Sequence, residues 1–241
     1  MIAQLFTKRI YGRARRGVIF YFCGWRMPLA LYRPVFFVAN LAGYRVHAYR
    51  LNETHIANAD NKGFLKQLQA LTDDVKADAL GFEAAGVSFM ATFGNSLGSE
   101  LALAVAKQVP LISAVVLNTV RGSTSEFLWH APYATDWRAM YEHQGYTEAS
   151  LYNELRPVEA VERLDKLSGK RVLLYYSSVD KTIPPHNTRL LIKALAAHHI
   201  RFKLATNRHL GHFWCSVKNH LFFWTWLSFL RKQERRVRTN S

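Results

Sequence analysis

The chain has 241 residues, 49% hydrophobic and 20% charged, which excludes a disordered or fibrous chain and fits one large α/β domain with a substantial core. Lys and Arg number 32 against 17 Asp and Glu, a formal charge of +15, with much of the excess at Lys8, Arg9, Arg13, Arg15 and Arg16 and at Arg231, Lys232, Arg235, Arg236 and Arg238. That balance would attract nucleic acid or anionic membrane head groups, but no nucleic-acid-binding motif accompanies it, so nucleic acid ranks last and a basic protein with loose termini (1–16 and 232–241) is the plain reading.

From the start of the chain, residues 1–16 hold too few strand-like positions for two strands, so a sheet of about six strands is expected. The apolar run Val18–Phe22 after Arg16 mimics a signal peptide, but Arg26, Pro28, Arg33 and Pro34 interrupt it, and a buried strand explains it better. A helix over Leu29–Ala42, a strand over Arg45–Tyr49 and a helix over Asn61–Ala79 follow. Next come a strand over Val87–Phe93, a helix over Ser96–Lys107 and a strand over Ala114–Asn118. The stretch at about 121–157 then breaks the alternation. It carries Phe127, Trp129, Tyr133, Trp137, Tyr141, Tyr146 and Tyr152 and is too long for a plain connection. It reads as a small helical lid inserted in a single domain spanning 1–241. Beyond it lie a helix over Val158–Leu167, a strand over Val172–Ser177, a helix over Pro185–His199, a strand over Phe202–Ala205 and a helix over His212–Arg231.

Strands that are continuously apolar and alternate with helices predict a mostly parallel sheet covered on both faces, with any site at the carboxyl ends of the strands. The apolar run Leu221–Leu230 has ten residues, about half of what a membrane span needs. Cys23 and Cys215 make neither a disulfide framework nor a zinc spacing. A soluble, cytoplasmic protein without metal or cofactor is the expectation.

The chemistry concentrates in Gly94-Asn95-Ser96-Leu97-Gly98, where a strand meets a helix. A residue at so tight a turn takes strained backbone angles, and the flanking glycines let neighbouring chain pass. The turn lifts the Ser96 hydroxyl out at the strand's end, beside the N–H groups of a helix start. A serine nucleophile needs a base, and the base needs an orienting acid. Asp180 follows the strand Val172–Ser177, and His212 follows Gly211 in the loop after Phe202–Ala205. Both fall on the edge expected for Ser96. Asp180 alone would also serve as a helix cap. His209 competes as the base, but the Gly211-His212 pair opening the last helix favours His212. Glu154 and Asp165 are weaker acids, since they sit within predicted helices. No third ligand joins His209 and His212, so no metal site is expected.

These residues resemble the α/β-hydrolase family: Cys23-Gly24-Trp25, the Gly-x-Ser-x-Gly elbow at 94–98, Asp180 and Gly211-His212 stand in the family's order over roughly residues 17–230. The resemblance implies a Ser96–His212–Asp180 triad, an acyl-enzyme on Ser96, and an oxyanion hole from the backbone N–H groups of Leu97 and Trp25. Cys23 stands where His is frequent, and Asn95 replaces the commoner His or Asp. The aromatic insertion favours an apolar acyl or aryl ester, with Trp25, Asn95, Phe127, Trp129 and Trp137 as candidate substrate contacts. Acyl transfer or carbon–carbon bond hydrolysis on the same triad, and a non-catalytic ligand-binding member of the fold, stay open. Basic termini beside Leu221–Leu230 suggest peripheral contact with an anionic membrane through Phe222, Phe223, Trp226 or Phe229; the competing reading packs that helix on the sheet.

Overall fold

The computed structural model describes residues 5–240. Its strands are β1 (Phe6–Tyr11), β2 (Gly17–Phe22), β3 (Tyr44–Leu51), β4 (Met90–Asn95), β5 (Ala114–Asn118), β6 (Arg171–Ser177) and β7 (Phe202–Asn207). They form one sheet in the order β1-β3-β2-β4-β5-β6-β7, parallel throughout except for β1 against β3. The helices are α1 (Arg33–Leu41), α2 (Thr54–Ala57), α3 (Asn61–Ala84), α4 (Leu97–Gln108), α5 (Thr124–His130), α6 (Thr135–His143), α7 (Glu148–Leu155), α8 (Pro185–Ala197), α9 (His212–Leu221) and α10 (Trp224–Asn240).

Because successive strand side chains point to opposite faces, β2 feeds two cores. Val18, Phe20 and Phe22 pack with α3, α4 and α8. Ile19 and Tyr21 pack with Phe36 of α1 and with Trp226 and Leu230 of α10. This is the expected α/β-hydrolase architecture. The strands after β2 lie on either side of it, β3 on one flank and β4 on the other. Chain order therefore reverses there, and a crevice opens at the carboxyl ends of β2 and β4.

Four expectations are corrected. The sheet has seven strands, not six, because Phe6–Tyr11 pairs antiparallel with β3, Phe6 opposite Leu51 and Tyr11 opposite Val46. Lys8 and Arg9 hide this strand's alternation, yet Lys8 Nζ lies 2.7 Å from Asp74 and 2.6 Å from Asp78 of α3, and charge is common on an edge strand. The termini expected to be loose are likewise structured in part, in β1 and through 232–240 of α10; residues 1–4 and 241 lie outside the described residues.

The helix expected over Val158–Leu167 is reduced to a 3₁₀ turn at Leu164–Leu167, preceded by Arg163 at φ 53°. Two carbonyls of this segment, those of Glu159 and Glu162, accept from Lys107 Nζ at 2.8 Å each. The Glu159 carboxylate is spent accepting from the N–H groups of Thr124 and Ser125 at the start of α5.

Finally, the single last helix is two. Both keep one buried phase, which is why periodicity joins them, but their inner faces differ. The inner face of α9 is polar, with Ser216, Asn219 and His220 across the ends of β4 and β5. That of α10 is apolar and runs down the sheet to Glu234, which meets Tyr44 and Arg16 at the opposite edge. The chain turns at Phe222 to change direction.

Candidate active site

Ser96 follows β4 directly and occupies the N-cap of α4 at φ 52°, ψ −123°. This left-handed conformation is costly for a residue with a Cβ and persists only where the surroundings hold it. Here the Ser96 N–H donates to Asn118 O at 2.8 Å, and the glycines let the turn close. A methyl group at Gly94 would collide with the Gly98 carbonyl, and one at Gly98 with the carbonyl of Phe22.

Ser96 Oγ lies 3.0 Å from His212 Nε2. His212 Nδ1 lies 2.8 Å from Asp180 Oδ2. The other carboxylate oxygen, Oδ1, accepts from the N–H groups of Thr182 at 2.8 Å and Ile183 at 2.9 Å. Asp180 is buried, and His212 keeps an edge open to the cavity. The acid is therefore fixed by the backbone of its own loop, and it fixes the imidazole with Nδ1–H toward it and Nε2 free to accept from the serine. His209 is exposed and joins none of this; Glu154 and Asp165 are bound elsewhere, to Tyr146 and Lys166. Among the described residues no cluster of His, Cys, Asp and Glu suits a metal ion, and Cys23 and Cys215 are buried free thiols.

A cavity of about 550 Å³ opens beside Ser96. Trp25, Leu31, Phe127, Leu128, Trp137 and Ile183 give it an apolar wall, and Leu97 and His212 border it. The insertion thus contributes Phe127 and Trp137, and the Trp137 ring meets Trp25 edge-on at 5.7 Å. Two candidate substrate contacts fall differently. Trp129 is not part of the cavity wall and instead carries the Arg138 guanidinium over its outer ring. Asn95 reaches the cavity floor, but its amide is already used: Nδ2 donates to Tyr32 Oη at 3.0 Å, and Oδ1 accepts from Asn118 Nδ2 at 3.0 Å and from the Ser216 hydroxyl. Its role is bracing. Arg121 is the cation on the wall, and it is bound to Glu100, Nη2 to Oε2 at 2.8 Å. Glu100 also accepts from Thr124 Oγ1 at 2.9 Å, so the cavity presents no free charge.

Asn95 belongs to a buried network that joins β4 to α9 and that the sequence did not reveal. Asn118 Nδ2 donates to Ser216 O at 3.1 Å, and Asn219 Nδ2 donates to Asn118 Oδ1 at 2.7 Å. Tyr32 Oη accepts from the Gly24 N–H at 3.3 Å and so steadies the loop bearing Trp25. His220 lies at the centre. Its Nδ1–H donates to Ser216 O at 2.8 Å, which leaves Nε2 to accept from Tyr21 Oη, also at 2.8 Å. Such a set has no fixed sequence spacing; the only local signal is the i, i+4 placing of Ser216 and His220 on one helix face.

Burial lowers the His220 pKa to about 4 from an ordinary 6.5, against the bond to Ser216, which raises it. The unfolded chain therefore binds a proton that the folded chain refuses. Stability from this group is whole above pH 6.5 and falls as pH drops toward 4, by about 2 kcal/mol at pH 5. Urea midpoints at pH 7 and pH 5 check this: the wild type should lose more stability than His220→Gln across that interval.

The family model for the prolyl oligopeptidase family matches residues 83–232, a span that holds Ser96, Asp180 and His212. No curated protein matches the chain. Among solved structures, a carboxylesterase from Nitrososphaera gargenis is 15% identical, with 96% of each chain covered and a TM-score of 0.64. Esterase B from Lactobacillus rhamnosis is 16% identical, covering 100% of this chain and 91% of that one, at 0.66. A monoacylglycerol lipase from Paleococcus ferrophilus is 16% identical, covering 93% and 99%, at 0.58. At these identities the likeness is one of fold.

Proposed function

The chain belongs to the prolyl oligopeptidase family, and on that premise we propose that it is a serine hydrolase that cleaves a carboxylic ester with an apolar acyl or aryl group through an acyl-enzyme on Ser96. The observation that carries this is the hydrogen-bonded line from Ser96 through His212 to Asp180. His212 Nε2 takes the hydroxyl proton as Oγ attacks the acyl carbonyl, and Asp180 holds Nδ1–H and stabilises the imidazolium. The carbonyl oxygen becomes an oxyanion, received by the N–H of Leu97, the first residue of α4, and by that of Trp25 across the crevice. The imidazolium then protonates the leaving alcohol, and a water activated by His212 releases the acid.

The apolar, charge-neutral cavity supports an uncharged acyl group, and the insertion acts as a lid whose Phe127 and Trp137 wall that group. The test is a series of p-nitrophenyl esters of rising chain length, run beside labelling with a fluorophosphonate. The wild type should label, and kcat/KM should rise roughly three- to fourfold per added methylene at the short end, from burial of about 0.8 kcal/mol each. No label would remove the enzyme reading; a rate flat in chain length would remove the apolar acyl site. The family's name favours a second reading, cleavage of a peptide amide, and an aminoacyl p-nitroanilide turned over faster than every ester would replace the first with it.

A further inference from the structure

The outer side of α9 and the turn into α10 carry large uncovered aromatic side chains. Trp214 is 63% exposed, Phe222 62% and Trp224 68%, large values for aromatic side chains in a folded chain. On the adjacent stripe of the same helix, Phe213, Val217 and Leu221 follow at i, i+4 and i+8 and form one lip of the cavity. Trp214 and Phe222 thus adjoin the lip residues Phe213 and Leu221, with exposed Lys218 on the same helix between them. Three exposed cations stand on the same edge of the sheet: Lys181 beside the acid loop, Arg208 between β7 and α9, and Lys218 on α9 itself, 5.8 Å over the Phe222 ring. Among the described residues none of the three pairs with a carboxylate.

We propose that this face docks on an anionic lipid bilayer and sets the cavity mouth against the membrane. Tryptophan rings suit the head-group level, where one part of the ring is in an apolar medium and the N–H stays wet. Unpaired cations among them suit anionic head groups. The apolar cavity behind the lip takes the same chemistry as an acyl chain drawn from that layer, and in this the proposal rests on the hydrolase reading. Charge argues against a second copy as the occupant: a two-fold contact would set Lys181, Arg208 and Lys218 against their own images.

The assignment of residues differs from that expected of the last helix. Trp226 and Phe229 are buried on the sheet, and Phe223 is half-buried. The basic C-terminus is not beside the apolar face. Seventeen residues of α10 carry it about 25 Å away, to the edge where Glu234 pairs with Arg16 and where Arg236 adds its charge to those of Arg171 and Arg201.

The full chain is sedimented with vesicles of phosphatidylcholine alone and of phosphatidylcholine with about one third phosphatidylglycerol. Binding is expected to the second, weakened by salt. The triple variant Trp214→Ser/Phe222→Ser/Trp224→Ser should bind at least about a hundredfold more weakly while hydrolysing a water-soluble short-chain ester as the wild type does. Arg208→Gln and Lys218→Gln should each weaken binding about fivefold. Ser96→Ala should bind like the wild type, which keeps a failure of the catalytic reading apart from a failure of this one. Three results would overturn the proposal: no binding to either vesicle, binding untouched by the triple variant but lost in Arg235→Gln/Arg236→Gln/Arg238→Gln, or a dimer in light scattering that the triple variant splits.

Discussion

Ser96→Ala should lower kcat/KM on any ester the wild type accepts by roughly 10⁴ to 10⁶-fold, because nucleophile and base act as a unit and the remaining groups supply only binding and oxyanion stabilisation. The change removes one oxygen whose partner is His212 Nε2. It leaves in place the Ser96 N–H bond to Asn118 O, the turn and the glycine contacts. The melting temperature should therefore move by less than about 2 °C, and fluorophosphonate labelling should vanish. Steady-state kinetics and a thermal melt on the same preparation check both halves. A variant that folds as well and still turns over within tenfold of the wild type would show that another group makes the acyl-enzyme.

Asp180→Asn should cost about 10³ to 10⁴-fold in kcat with little change in KM, for a different reason. The carboxylate has two jobs, divided between its oxygens. Oδ1 accepts from the N–H groups of Thr182 and Ile183, and Oδ2 faces His212 Nδ1. Asparagine keeps the first with its carbonyl oxygen. Its amide nitrogen then donates toward Nδ1, so the imidazole proton moves to Nε2, where it cannot accept from Ser96. Asp180→Ala loses both jobs and leaves two backbone donors without their acceptor, at about 1–3 kcal/mol for a buried donor. The pair separates orientation from scaffolding: both variants should be nearly inactive, and only the alanine should melt early. An asparagine variant within tenfold of wild-type kcat would mean that Asp180 serves only to brace its own loop.

The parts of this molecule legible in the sequence are those written in local pattern. Apolar runs gave β2, β4, β5 and β6 to within a few residues, since a strand covered on both faces needs nothing else; β3 and the edge strand β7 carry polar residues and were read from their spacing between turns and helices. The elbow at 94–98 could be read because its glycines answer a local steric demand. Asp180 and His212 could be found because each follows a strand by a few residues and so must reach the same edge. The rest depended on partners far along the chain. The first strand was hidden by Lys8 and Arg9, whose charge makes sense only beside Asp74 and Asp78 on α3. The segment 158–167, expected as a helix, is bound by Lys107, some fifty residues upstream and invisible to periodicity. Trp129 and Trp137 are equivalent as letters; only the packing of α6 puts one over the cavity and the other under Arg138. The ring of Tyr32, Asn95, Asn118, Ser216 and His220 joins four separate segments, and no window contains it.

That ring bears on how the molecule can change. The hydroxyl at 96 and the imidazole at 212 stand just past the end of β4 and on the first turn of α9, which Asn95, Asn118 and Ser216 bolt together. None of the side chains proposed to react is drawn from residues 121–157, and those residues supply only wall. On the proposed reaction, bond-breaking and selection are thus kept on separate parts of the chain. The insertion can be shortened, repacked or exchanged to reshape the cavity while Ser96 and His212 keep their spacing, so this scaffold is suited to diversification by replacing one contiguous block.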